Sequence, residues 1–477
     1  MEKRFATLVA LTIFSNVAFA SASLTLPRAI EILKSNNLEI KIAKLDQKIA
    51  KKDVATAAGN HYGKIDLTEN IAVSNDAGNV FGFKITSREA TYRDFGFSEY
   101  QAKQQQIAQS GGDKTKIDTS AEQAAVAAQN DDKYDALNYP DDRMFYQTQI
   151  EWQLPIFTGY KISSYVDIMN AMSHMKSLEK RKTISEKVYE LKKSFYNMAL
   201  LKSSIKNLNI ILDNINKLEN TTKMMINVGY AKKVDLLEVR AKKGKVERLL
   251  MDMHLNERLL YHYLSFLLNQ KVTSIVVPTN STVPLPRING KMIIENNIDI
   301  KRAETGLKVR KGMLNVAKST NYPMVGLDVK WQTADDDFAD SLTQAGGDGS
   351  YTIGARMTWN LYNGGIDQAS IEKSKIELLK TQTQVQLARK GIGLMVAKIK
   401  TEIRSEDEKI ISLEKELELA NEIYHNYEGR YKEKLVSMSD VIIKQSEQIQ
   451  KILELQVVKN RRNERVFALE KLANGEK

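Results

Sequence analysis

The chain repeats itself at long range. Residues 36–44 read NNLEIKIAK and residues 296–304 read NNIDIKRAE. In the same order, LPIFTG at 154–159 is echoed by WNLYNG at 359–364, and VDLL at 234–237 by SDVI at 439–442. Solenoid repeats have periods of roughly 20–50 residues, so this spacing points to a duplicated half-protein. Each half is expected to run helix, strand pair, very long helix, turn, helix. The first half covers 23–282 and the second 283–477.

The periodicities place these elements. Leu26, Ile30, Leu33, Ile40, Leu45 and Ile49 recur near helical spacing, with Pro27 in the first turn where proline is tolerated, so 24–58 is expected to be one helix. Alternation then predicts a strand at 64–73 and its partner at 145–157, separated by a long polar loop with a short helix near 121–129. Gln147, Gln149, Glu151 and Gln153 alternate with Tyr146, Thr148, Ile150, Trp152 and Leu154. A strand with lipid on one side and water on the other has this pattern, and so does a half-buried sandwich strand. No proline or glycine interrupts 162–227, where Val188, Leu191, Phe195 and Met198, then Ile205, Leu208, Leu212 and Ile215, make a heptad seam. A helix of that length measures about 100 Å. Further helices are expected at 235–268, 289–317, 366–433 and 439–473, with strands at 325–332 and 351–361. The segment 270–286 is an irregular connector.

Composition narrows the function. Lys3, Arg4, an apolar run at 5–14 and Ala20-Ser21-Ala22 read as a secretory signal over 1–22. There is no cysteine, which excludes disulfides, thiolate chemistry and a lipid-acylated cysteine. The formal net charge is +11, but the lysines lie among glutamates along helices, so nucleic acid is not an expected partner. No apolar run is long enough for a membrane-spanning helix, so any membrane role falls to strands. Four strands are too few to close a membrane barrel, whereas three copies would supply twelve, an allowed even number. The five histidines form no metal-binding pair, and no catalytic or phosphate-binding motif is present. No enzyme activity, cofactor or metal is expected.

These features together resemble the outer-membrane efflux protein family, the TolC-like outer-membrane factors. The resemblance rests on the doubled helical start, the strand-to-helix motifs LPIFTGY at 154–160 and NLYNGG at 360–365, and the segments INVGYAKKVDLLEVRA at 226–241 and YKEKLVSMSDVIIKQ at 431–445. It implies a mainly α fold with membrane β. A homotrimer would share a twelve-stranded β-barrel in outer-membrane lipid, continued by a long α-helical periplasmic barrel. It further implies a passive exit duct for small molecules or proteins, in an efflux or type I secretion system. The duct would dock a periplasmic adaptor (membrane fusion) protein and an inner-membrane pump of RND or ABC type.

The resemblance assigns Val228, Gly229 and Tyr230, and in the second half Lys434, Leu435, Val436 and Ser437, to adaptor-docking turns. Lys434 stands where the family usually has glycine. Asp235, Asp440 and Tyr431 fall at the periplasmic aperture, while Val234, Val436 and Ile443 depart from the family's polar gate network. Pro155, Gly159, Gly364 and Gly365 mark the strand-to-helix turns. Asp235 and Asp440 also read as ordinary first-turn carboxylates that complement the helix dipole, and the two readings stay open here. A periplasmic coiled-coil adaptor or structural spacer is the competing class. It would lack two strand pairs, each preceding a long helical hairpin.

Overall fold

The computed structural model describes residues 24–90, 92–95, 108–109, 111, 139–278, 282–287, 289–343 and 349–473. The signal segment at 1–22 and the short helix expected at 121–129 lie outside the described residues. Two compact units are present. One draws on residues up to Lys52, on Asn170–Val309 and on Leu378–Lys477; the other comprises Asp53–Met169 and Arg310–Glu377.

In chain order the elements are α1 (Leu26–Asn36), α2 (Leu38–Gly59), β1 (Lys64–Ser74), α3 (Ala77–Thr86), β2 (Arg143–Phe157), α4 (Lys161–Asn227) and α5 (Lys233–Leu268). Then follow α6 (Gly290–Asn296), α7 (Ile298–Lys318), β3 (Met324–Asp335), α8 (Phe338–Thr343), β4 (Ser350–Thr358), α9 (Ile366–Lys432) and α10 (Met438–Leu472). The long helices α4 and α9 each have 67 residues. Among the described residues no helix is long and apolar enough to cross a membrane.

The strands form one antiparallel sheet in the order β1-β2-β3-β4. Its register sorts the side chains. One face carries the rows Leu67–Ile150–Trp331–Tyr351 and Ile65–Trp152–Val329–Ile353. The opposite face carries Asp66–Glu151–Lys330–Thr352 and Thr68–Gln149–Gln332–Ser350. The apolar face is uncovered: Leu67 is 71% exposed and Tyr351 is 77% exposed. Pro155 lacks an N–H and lies where the β2–β3 register shifts between Pro155 and Phe157, a bulge being the interior position that tolerates proline. The fourth strand ends at Thr358, short of the expected Leu361.

The turns out of β2 and β4 share one geometry. Gly159 and Tyr160 both have positive φ, as do Gly364 and Gly365. A Cβ at Gly159 would meet the Ser319 carbonyl oxygen at 2.6 Å, so that position requires glycine.

In the helical unit the expected seam is buried: Leu191, Phe195, Met198 and Leu208 are fully enclosed, and Ile215 nearly so. Each such side chain contributes about 1.5–3 kcal/mol. One expectation is corrected, because the opening helix of each half is broken by an asparagine. Asn37 separates α1 from α2 and Asn297 separates α6 from α7, each with ψ of 129°. Both side chains are buried, and each uses both its oxygen and its nitrogen. Asn37 Oδ1 accepts from Ile40 N–H at 3.0 Å, and its Nδ2 donates to the Leu267 carbonyl at 2.8 Å. Asn297 Oδ1 accepts from Asp299 and Ile300 N–H at 2.9 and 3.2 Å, and its Nδ2 donates to the Leu472 carbonyl at 3.1 Å. Each asparagine therefore caps one helix start and satisfies the end of a distant helix. The connectors are tied in similarly: Leu24 pairs with Ser274 and Val276, and Val283 N–H donates to Asn463 Oδ1 at 3.0 Å.

Replacing Asn297 by Ala should cost about 1–3 kcal/mol, since it removes a cap and strands a buried carbonyl. Thermal denaturation of Asn297→Ala and Asn37→Ala should show comparable losses; an unchanged midpoint would refute the bridging role.

Candidate functional site

The turns α4–α5 and α9–α10 close by the same backbone device. Gly229 N–H reaches the Ile226 carbonyl at 3.0 Å and Tyr230 N–H the Met225 carbonyl at 2.6 Å. Lys434 N–H reaches Tyr431 and Leu435 N–H reaches Arg430, both at 2.9 Å. These paired bonds are a Schellman closure, which demands a left-handed residue. Gly229 supplies it at φ 76°, and Lys434 supplies it at φ 64° despite its side chain. That side chain is placed to offset the strain, because Lys434 Nζ lies 3.1 Å from the centroid of the Tyr230 ring. The two turns thus touch. Val228, Tyr230 and Leu435 are each about three-fifths exposed, while Val436 packs against the core beneath.

The following helices start with the two aspartates. Asp235 accepts from Lys232 N–H at 2.9 Å. Asp440 accepts from Ser437 N–H at 3.0 Å and from Ser437 Oγ at 2.6 Å, while Ser437 Oγ accepts from Asp440 N–H at 3.2 Å. The second is a complete capping box; in the first, Lys232 has no acceptor, so only the carboxylate arm exists. The Ser437 hydroxyl, then its backbone N–H, hold the Asp440 carboxyl below its ordinary range. Ser439 Oγ also donates to the Glu238 carboxylate at 2.8 Å, joining α10 to α5.

Tyr431 is buried, with Tyr424 fully enclosed, in the same core as Leu218, Val239, Met438 and Val441. Burial pushes the Tyr431 phenol up, the neighbouring Thr222 hydroxyl opposes this, and the Asp235 charge adds to it. Val234 and Ile443 are about half exposed.

Sequence reasoning missed four polar residues in this region. Glu219 is contacted by Lys223 at 2.9 Å, Arg240 at 3.1 Å and Lys243 at 3.5 Å, and these cations, Lys223 foremost, hold its carboxyl down at about 2. Gln445 donates to the Tyr424 hydroxyl at 3.3 Å, and Gln448 to Asn421 at 2.8 Å. Lys242 is buried against Ser446. The signal was present: Val239, Lys242, Val246 and Val441, Gln445, Gln448, Ile452 keep the 3-4 seam spacing, with polar residues at seam positions.

Among the described residues, one carboxylate group in the sheet unit, Glu89, Asp335 and Asp336, has metal-like spacing. Arg143 pairs with Glu89 and lies 3.4 Å from Asp336, so a guanidinium already engages two of the three carboxylates.

Residues 290–475 match the family described as Outer membrane efflux protein. Solved structures share the fold across nearly the whole chain. The outer membrane protein VceC from Vibrio cholerae superposes with a TM-score of 0.73 at 14% identity, covering 94% of this chain and 96% of that one. The MtrE outer membrane channel of Neisseria gonorrhoeae gives 0.71 at 13% identity, covering 94% and 89%. CusC, whose structures concern transmembrane channel formation, gives 0.74 at 12% identity, covering 94% and 91%. No curated protein sequence matches the chain. The resemblance to TolC-like outer-membrane factors therefore holds: the second half matches the family, and the mainly helical fold is that of the solved channels.

Glu219→Gln should lower stability at neutral pH by about 1–3 kcal/mol, the cost of breaking a charge network. A carboxyl depressed to about 2 stabilises the fold fully above its ordinary value near 4.5 and loses that contribution as pH falls through 2. The gap in melting temperature between wild type and variant should accordingly close between those pH values; a gap independent of pH would contradict the network.

Proposed function

We propose that this chain is the outer-membrane exit duct of a tripartite efflux or type I secretion system. The supporting observation is the sheet. One face carries two rows that are apolar across all four strands, with Leu67 and Tyr351 exposed, the matching rows of the other face are polar, and the outer edges of β1 and β4 have no partner among the described residues. Lipid tolerates no such edges, so copies of the chain must join edge to edge. Three copies give twelve strands, with Asp66, Glu151, Lys330 and Gln149 toward the lumen and Leu67, Trp331 and Tyr351 toward lipid. A secretory signal at 1–22 would deliver the chain.

The two touching turns are the proposed docking point for a periplasmic adaptor, which couples the duct to an inner-membrane pump. Their exposed apolar residues Val228, Tyr230 and Leu435 suit such a contact. Asp235 and Asp440 are bound to their own helix starts, and each still presents its charge. Threefold repetition would make a negative ring able to bind cations. The duct is read as passive, with no enzymatic step or cofactor.

Reconstitution in a planar bilayer tests this reading. Discrete conductances are expected, with block by millimolar divalent cations from the helical side. Asp440→Ala or Asp235→Ala should weaken the block about tenfold if one charge contributes about 1.4 kcal/mol. Pores with unaltered block in both variants would remove the ring and keep the duct. A folded protein that never inserts or conducts would refute the duct itself.

A further inference from the structure

Lys242 presents an unsolved electrostatic problem. It is 94% buried by surface area, being only 6% exposed, and its ammonium has one partner, Ser446 Oγ at 2.5 Å. The Ser446 proton is already donated to the Ile442 carbonyl at 2.8 Å, so a neutral lone pair is all that Lys242 receives. An ammonium has three donors. Among the described residues no carboxylate lies within ion-pair distance of Lys242, and none lies within that distance of Lys245 or Arg461. Burial, and then the charge of Lys245, pull the Lys242 ammonium down to about 8. It remains largely protonated at neutral pH.

These three cations border one groove of about 630 Å³ within the helical unit, floored by Leu249, Leu413, Ile449 and Leu453. Glu454 also lines it, but its carboxylate is held by Lys451 at 3.2 Å and accepts from Gln450 at 2.8 Å. Small-molecule sites have this size and character, roughly 300–1,000 Å³, mostly apolar, with a few fixed polar groups. A buried, uncompensated cation is costly, and an aliphatic residue there would be more stable.

We propose that the groove between α5 and α10 binds a single-chain anionic amphiphile of the fatty-acid class. The carboxylate sits against Lys242, with Lys245 and Arg461 at the rim, and the alkyl chain lies along Leu249, Ile449 and Leu453. The proposal does not depend on whether the chain conducts, since it concerns a groove within the helical unit.

The test uses the full chain in nanodiscs of zwitterionic phospholipid, exposed to photoactivatable palmitic acid and, separately, to its methyl ester. Peptides of α5 and α10 that line the groove should be labelled by the acid and about tenfold less by the ester, the ratio expected from one charge-assisted contact. Lys242→Met should lose labelling to the same degree while melting at the same temperature or higher, and Arg461→Gln should lose less. If Lys242→Met did not fold, Leu453→Glu, which places a charge in the path of the alkyl chain, serves in its stead and should also abolish labelling. Equal labelling by acid and ester, unchanged labelling in these variants, or no labelling of the groove peptides would each overturn the proposal. Carbodiimide coupling of Lys242 to a carboxylate of a second chain would overturn it too, giving the cation to a protein partner.

Discussion

A four-stranded sheet with exposed apolar rows on one face, and outer edges that have no partner among the described residues, needs further covering. Water would penalise the apolar face, and lipid would penalise the edges. On the proposed reading, lipid covers the apolar rows and strands of further copies close the edges. The register explains why the sheet is fit for it. Period-2 alternation holds through all four strands, so Leu67, Ile150, Trp331 and Tyr351 share a row, as do Asp66, Glu151, Lys330 and Thr352. A slip of one residue on any strand would exchange these faces. On the proposed reading, the polar rows line a water-filled lumen, and the ladder Asn70–Gln147–Gln332 shows how such side chains satisfy one another there.

The same local problems are solved twice, in some places with different side chains. Asn37 and Asn297 break the opening helices identically and tie them to the ends of α5 and α10. At the strand-to-helix turns, Tyr160 holds the left-handed conformation that Gly365 holds in the second half. At the helical turns Lys434 does what Gly229 does. A non-glycine residue in that conformation costs about 1–3 kcal/mol, and cation–π contact with Tyr230 returns part of it, about 0.5–1 kcal/mol at an exposed site. Backbone geometry is thus common to the two halves at these turns, while the side chains that hold it differ.

That distinction explains what was legible in the sequence. Strands at 64–73 and 145–157 and the long helices emerged within a few residues, because hydrophobic period reports which face is buried. The helix break at Asn37 was missed because apolar spacing continues across it; the signal was the Asn-Asn doublet, a capping residue in mid-pattern. The two aspartates were legible as residues but ambiguous in role, since a first-turn carboxylate looks the same whether it caps, lines a pore or does both. The contacts of Glu219 with Arg240 and Lys243, and of Lys434 with Tyr230, join different helices, and no spacing rule within one helix reveals them.

The lipid-facing sheet is the claim on which the functional reading stands. The chain has three tryptophans, and two of them, Trp152 and Trp331, lie on the apolar face. With Trp359→Phe removing the third, the fluorescence of liposome-reconstituted protein can be read in phospholipids brominated along the acyl chain. Strong quenching by those lipids, with little quenching by aqueous iodide, is the predicted result. Quenching by iodide and not by brominated lipid would place this face in water and contradict the membrane barrel.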